Sequence, residues 1–230
     1  MNKISAFILD LLFPNRCPVC ENIIAFDSFI CNNCIAELEK CSINENDVCR
    51  GCGKMECICN DKLNYIRTVV CYYYENAAKR GVLSLKDGSK NFGYFLGNIL
   101  TEKIKEDSIL INADYIVPVP MSRKRLKERR YNQAYVIARE ISKKTRIPIL
   151  SNALFKNDSK VQHNLNSEER KMNVSAFFKG NINLDGNKII ICDDVLTTGS
   201  TLNKCAELLI NMGAAEVYAA VGTTTKLKKE

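Results

Sequence analysis

Nine of the twelve cysteines in this chain fall between Cys17 and Cys59. They restrict the fold more than any other feature. The stretch that holds them, residues 14 to about 62, is rich in Cys, Asn and Gly and short of long apolar runs. Such a stretch cannot bury a stabilising core unaided and needs a staple. A disulfide framework accompanies export, and no exporting signal is recognisable. The apolar run Ile4 to Phe13 is interrupted by Asp10, and no small-residue cleavage site follows it. That run is expected to form a short amphipathic helix packed on the body. No apolar run reaches the roughly 18 residues that span a bilayer. The expectation is a cytoplasmic chain without a membrane span, whose reduced, clustered thiols hold metal.

The spacing supports zinc. Cys17-Pro18-Val19-Cys20 and Cys31-Asn32-Asn33-Cys34 are two CxxC turns, each placing two thiolates on one side of a tight loop. Together they complete a tetrahedron around one ion. Cys49-Arg50-Gly51-Cys52 and Cys57-Ile58-Cys59 form a second group with a tighter CxC half, so one or two zinc ions are expected. Cys41 stands between the groups and is an alternative to a weak ligand, while Cys71, Cys192 and Cys205 read as core. Closed four-cysteine sites are structural, because catalytic zinc keeps a coordination position open.

Beyond the cysteines the periodicity changes. A strand-like run, Ile66 to Tyr74, precedes helical patterns at Ala77 to Leu85 and Gly93 to Lys105. From Asp114 onward strands and helices alternate: Ile116 to Pro120, Asn132 to Lys144, Lys188 to Cys192, Thr201 to Met212 and Glu216 to Gly222. Strands separated by helices of this length predict parallel pairing and an α/β sheet. The expected division is a zinc module over 1–62 and a second domain over 63–230, with a hood at 63–110 and a core at 111–225.

The most specific stretch is Ile189-Ile190-Ile191-Cys192-Asp193-Asp194-Val195-Leu196-Thr197-Thr198-Gly199-Ser200-Thr201. It reads as a buried strand, an acidic pair, and a hydroxyl- and glycine-rich loop that enters a helix. Backbone N–H groups at a helix start, with the Thr and Ser hydroxyls, make a cradle for a phosphate. Gly199 permits close approach of the backbone. Asp193 and Asp194 can accept hydrogen bonds from sugar hydroxyls, directly or through Mg²⁺ and water. No GK[ST] ending occurs, which excludes a Walker A loop. The net charge of +7 suits a polyanionic ligand without requiring one.

This stretch resembles the phosphoribosyl pyrophosphate motif of type I phosphoribosyltransferases. The resemblance implies that Asp193 and Asp194 face the ribose hydroxyls as the catalytic pair. Thr197, Thr198, Gly199, Ser200 and Thr201 would wrap the 5′-phosphate. Further stretches resemble the ComF competence family. Val117-Pro118-Val119-Pro120, followed by a basic segment and Arg129-Arg130-Tyr131-Asn132-Gln133, is similar to its PVP…RGFNQ signature, with Arg130 where the family has glycine. If that position needs positive φ, the loop is expected to differ here. Gln162 to Val174, followed by Ala176-Phe177, is similar to the family's QxxLsxxeRxxN signature, and Leu85-Lys86-Asp87-Gly88 resembles its lysine-glycine turn.

These resemblances imply a Rossmann-like type I phosphoribosyltransferase core with a mainly parallel sheet, preceded by a small zinc-ribbon module. They place Pro120, Met121 and Ser122 in a pyrophosphate turn and make Lys86, Arg123, Lys124, Arg129 and Arg170 candidate anion contacts. Residues 123 to 130 carry six basic side chains in eight. Ser167 is expected to cap a short helix that turns Arg170 and Asn173 to one face, and His163 is read as incidental. The implied ligands are phosphoribosyl pyrophosphate or a related phosphosugar, with Mg²⁺, in an enzyme of the phosphoribosyltransferase class whose acceptor is not named by any motif. The implied biology is natural competence and handling of incoming single-stranded DNA. The alternative is a non-catalytic DNA-binding adaptor that recruits a helicase-like competence partner.

Overall fold

A computed structural model of the chain describes residues 14–44, 46–59, 63–156, 177–180 and 182–226. The expected N-terminal helix and the 162–174 stretch, with His163, Ser167, Arg170 and Asn173, lie outside the described residues. A helix α1 (Asn32–Glu39) opens the described secondary structure, starting within the second CxxC turn. There follow β1 (Arg67–Tyr73), α2 (Asn76–Lys86), α3 (Asn91–Glu106), β2 (Tyr115–Pro118), α4 (Arg123–Arg129) and α5 (Gln133–Thr145). The chain continues through β3 (Leu154–Lys156), β4 (Phe177–Lys179), β5 (Lys188–Leu196), α6 (Ser200–Ile210) and β6 (Glu216–Thr224).

Four strands form one sheet in the order β1-β6-β5-β2, and every neighbour in it is parallel. The triple isoleucine of β5 is fully buried, as a strand covered on both faces requires. On one face, α2, α3 and α5 pack through Val82, Phe92, Leu96, Leu100 and Ile137, and on the other α6 packs through Leu202, Cys205 and Leu209. Gly97 lets α3 approach α5, where a Cβ would lie 2.6 Å from the Cβ of Glu140. The strand expected within the hood is the outer strand of this sheet. The core also continues across residue 62, because Val19, Ile24, Ile30 and Leu38 belong to the same cluster as Phe92 and Leu96.

β5 differs from expectation in one respect. Pairing with β6 runs on through Asp193↔Val221 to Leu196↔Thr224, so the acidic pair lies inside the strand and not at its end. The physical reason is the length of β6, which continues to Thr224 and supplies backbone partners.

The connections create a crevice. From β2 the chain passes through α5 and returns beside β2's outer edge, where Ile149 bridges Ile116 in parallel. From β5 it passes through α6 to β6 on the other side. The two paths diverge between β2 and β5, the topological switch point at which open α/β sheets receive ligands beyond their carboxyl ends.

Arg130 has φ 65° and ψ −3°, a left-handed C-cap for α4. The loop was expected to differ if this position needed positive φ; it keeps that conformation and arginine adopts it. A non-glycine residue there costs roughly 1–2 kcal/mol. Arg130→Gly is therefore expected to raise unfolding free energy by about 1 kcal/mol after glycine's larger unfolded-state entropy is offset. Urea denaturation at constant m checks this, and a loss of stability would refute it.

Candidate functional site

The switch-point crevice holds a cleft of about 190 Å³. Of the expected site residues it brings together Lys86, Pro120, Met121, Ser122, Arg129, Asp193, Asp194 and Thr201. Asn132 and Gln133 of the family-like signature also line it, with Arg125 and Lys156, which the sequence alone does not single out. Arg123 and Lys124 start α4 outside the cleft lining, and Arg170 is outside the described residues. A larger hollow of about 290 Å³ runs along β1 between residues 43–50 and the end of α3. Glu106 and Asp107 at the end of α3 line it, but Asp107 is engaged by Arg67 at 2.6 Å.

The carboxylates are placed by β5. Asp193 Oδ1 accepts from the Asp194 N–H at 2.9 Å, and the Asp194 carbonyl accepts from Thr223 Oγ1 at 3.0 Å. Burial, then the adjacent Asp194 carboxylate, pushes the Asp193 carboxyl well above the ordinary range. Lys86 Nζ stands 3.6 Å from Asp194 Oδ2, which is buried and has no hydrogen-bond partner. A buried carboxylate oxygen in that condition is costly. A sugar hydroxyl or a hard divalent cation would fit it, since Mg²⁺ takes one or two carboxylates and keeps waters.

The cationic side comes from three elements. Lys86 ends α2, Arg125 and Arg129 stand four apart and share a face of α4, and Lys156 projects from β3. Burial, then Arg125, lowers the Lys156 ammonium from its ordinary value. The Tyr131-Asn132-Gln133 motif positions these groups. Asn132 Nδ2 donates to the Val119 carbonyl at 2.9 Å, fixing the turn before Pro120. Tyr131 Oη and Gln133 Nε2 donate to the Leu85 carbonyl at 2.5 and 3.4 Å, beside Lys86. Gln133 Oε1 in turn accepts from Arg129 Nη1 at 3.3 Å.

The loop after β5 leads straight into α6. Gly199 is its N-cap with φ 81°, a conformation that favours glycine. Thr198 Oγ1 and Ser200 Oγ lie 2.9 Å apart, and Thr197, Thr198 and Ser200 are exposed. Thr201 alone of the loop residues lines the cleft. The other face of the loop is covered: a Cβ at Gly199 would sit 3.1 Å from Tyr65 Oη and 3.8 Å from Ile58 Cδ1.

The eight expected cysteine ligands form two clusters, Cys17-Cys20-Cys31-Cys34 and Cys49-Cys52-Cys57-Cys59, each with its sulfurs within 4.8 Å of one another. The Cys20–Cys31, Cys49–Cys59 and Cys57–Cys49 separations are 3.7, 3.6 and 3.5 Å. Disulfides need about 2.05 Å. Four thiolates around a tetrahedral zinc stand roughly 3.8 Å apart, so both clusters fit the ion. The knuckle N–H of Cys52 leads in bringing the Cys49 thiol down to about 7. Burial raises Cys17, but N–H groups of Cys31, Val19 and Cys20 outweigh it and bring that thiol to about 7. Cys41 joins neither cluster; it is buried and directs its thiol to the Glu37 and Glu75 carbonyls. Cys71, Cys192 and Cys205 are buried in the core as expected.

Comparison with known proteins agrees with this anatomy. Residues 8–72 match the double zinc ribbon domain and residues 132–228 the phosphoribosyl transferase domain. Competence protein ComFC of Bacillus subtilis is 24% identical over 227 residues, covering 88% of this chain and 85% of that protein. Competence protein F of Haemophilus influenzae is 32% identical over 106 residues, 44% of this chain and 46% of its own length. The DNA utilization protein YhgH of Escherichia coli is 34% identical over 105 residues, 45% of this chain and 46% of that protein. The chain thus matches about half the length of the latter two relatives. Among the described residues no helix is long and apolar enough to cross a membrane. With both matches in the order of the cysteine clusters and the parallel sheet, the chain joins a double zinc ribbon to a phosphoribosyl transferase domain and is similar to the competence proteins ComFC and F and to the DNA utilization protein YhgH.

Proposed function

We propose that the β2/β5 cleft binds phosphoribosyl pyrophosphate with Mg²⁺ and that each cysteine cluster holds one structural zinc ion. The observation that carries the cleft reading is the buried Asp194 Oδ2, which has no hydrogen-bond partner, beside Asp193, opposite a cationic wall and next to a helix start. In this arrangement Asp193 and Asp194 orient the ribose hydroxyls. Residues 197–201 offer N–H and hydroxyl donors to the 5′-phosphate. Lys86, Arg125, Arg129 and Lys156 face the diphosphate, the leaving group of ribosyl transfer, whose developing charge such cations stabilise. Mg²⁺, when bound, adds charge neutralisation at the diphosphate. An acceptor would approach through the open side of the cleft.

A second reading rests on α4, where five of seven residues are Lys or Arg and none is buried. With relatives named for competence and DNA utilization, it supports single-stranded DNA binding along this helix, with a helicase-like partner as a further candidate.

Three measurements test these readings. Freshly purified, never-chelated protein is expected to contain two zinc ions per chain by elemental analysis, and Cys17→Ser with Cys20→Ser to unfold the ribbon; absence of metal overturns the zinc assignment. Asp193→Asn with Asp194→Asn should abolish calorimetric binding of phosphoribosyl pyrophosphate and leave the circular dichroism unchanged. Thr198→Ala should weaken that binding by about 1 to 3 kcal/mol. Full binding by the double asparagine protein would reduce the pair to a structural role. For DNA, replacing Arg123, Lys124 and Lys127 by alanine should flatten the salt dependence of single-strand affinity, by about 0.7 in log–log slope per lost phosphate contact. Because these three lie outside the cleft lining, phosphosugar binding should persist, and an unchanged slope would remove α4 from the interface.

A further inference from the structure

The underside of the 197–201 loop is built from the second cysteine cluster and the segment that follows it. Lys54, two residues beyond Cys52, is fully buried. Its ammonium donates to the Leu196 carbonyl at 3.0 Å, the Thr225 carbonyl at 3.0 Å and Thr225 Oγ1 at 3.1 Å. All three acceptors are uncharged. No carboxylate lies within ion-pair distance of it among the described residues, a setting in which a buried cation is expensive. Leu196 is the last residue of β5, so its carbonyl is the hinge from which the loop departs. In a trans peptide the C=O and the following N–H point in opposite directions. The Leu196 carbonyl also accepts from the Thr225 N–H at 3.1 Å and from Thr224 Oγ1 at 3.3 Å, and together with Lys54 these donors aim the Thr197 N–H away from the ribbon.

Two further contacts secure the rest of the loop. Ile58, between Cys57 and Cys59, and the buried Tyr65 lie against Gly199. The N–H and the side-chain amide of Asn64 donate to Asn203 Oδ1 at 2.6 and 3.2 Å, holding the first turn of α6. The loop is thus fixed at its base, its glycine and its helix by Lys54, Ile58, Asn64 and Tyr65.

We infer that Lys54 is a positioning residue for the phosphate loop, orienting the loop's N–H donors from behind, so that the second cysteine cluster forms the back wall of the 5′-phosphate site. This rests on the proposed phosphosugar reading of the cleft. It predicts selectivity between the two ends of the ligand, since the diphosphate end faces Lys86, Arg125 and Arg129 on the opposite wall.

The test uses zinc-loaded, full-length protein. Lys54→Met keeps the side-chain length and removes the donors and the charge. Ribose 5-phosphate and phosphoribosyl pyrophosphate are expected to bind at least tenfold more weakly to this variant by calorimetry. Inorganic pyrophosphate affinity and zinc content should be unchanged. Unchanged ribose 5-phosphate affinity in a folded variant overturns the inference, as does an equal loss for all three probes, which would mark general destabilisation. Wild-type protein that binds none of the probes would sink the phosphosugar reading instead. The clamp is then still read by amide hydrogen exchange. If Lys54→Met does not fold, exchange in the wild-type protein decides: Thr225 and Asn203 amides, which donate to the Leu196 and Gly199 carbonyls, as protected as those of β5 support the clamp, and fast exchange there refutes it.

Discussion

The outer strand β1 is closed by backbone bonds to the cysteine-rich segment, and much else hangs on them. Tyr73 N–H donates to the Cys41 carbonyl at 2.8 Å, Ile43 N–H to Cys71 at 3.1 Å and Thr68 N–H to Arg50 at 2.7 Å. A bare edge strand would be a template for aggregation. Here the ribbon covers it, and in exchange the ribbon places its few apolar side chains in the core of the sheet domain. The ribbon has no hydrophobic core separate from the sheet domain, and one face of the sheet shares its cluster with it. A module too small to fold by burial is stabilised by thiol clusters at its turns and by the sheet along its flank.

The cleft carries the opposite economy. Asp193 is held well above the ordinary carboxylate range, so the folded chain binds a proton there that the unfolded chain releases. Across the window from the ordinary value up to the raised one, native stability falls as pH rises. Asp194 leaves an oxygen without a hydrogen-bond partner in the same place. Two such costs side by side are characteristic of a site kept for a ligand.

How much of this was legible from sequence varied with the kind of signal. The parallel sheet followed from the alternation of short β-branched runs with helical periods, and all four main strands lie where those runs are. β5 ran past its expected end, because pairing is decided by the neighbour's length and not by the strand's own composition. Helix α1 went unseen within a segment dominated by cysteine spacing, and α4 was hidden in a charge run that lacks apolar periodicity. The acidic pair and Thr201 could be assigned from a contiguous motif. Arg125 was masked by five other cations nearby, and Lys156, on the short strand β3, had no local pattern that marks it for the cleft. Lys54 was equally invisible: its partners are 142 and 171 residues away.

The two four-thiol clusters also alter the molecule's electrical shape. The formal charge of +7 counts every thiol as neutral. A divalent ion held by four thiolates contributes two positive and four negative charges, so each filled cluster adds a net double negative. With both filled, the formal charge falls to +3, and the whole change is confined to the ribbon. The chain becomes a dipole, with an anionic patch at its cysteine turns and the cationic wall of α4 across the sheet. A polyanion approaching such a molecule would be steered toward one pole and turned away from the other.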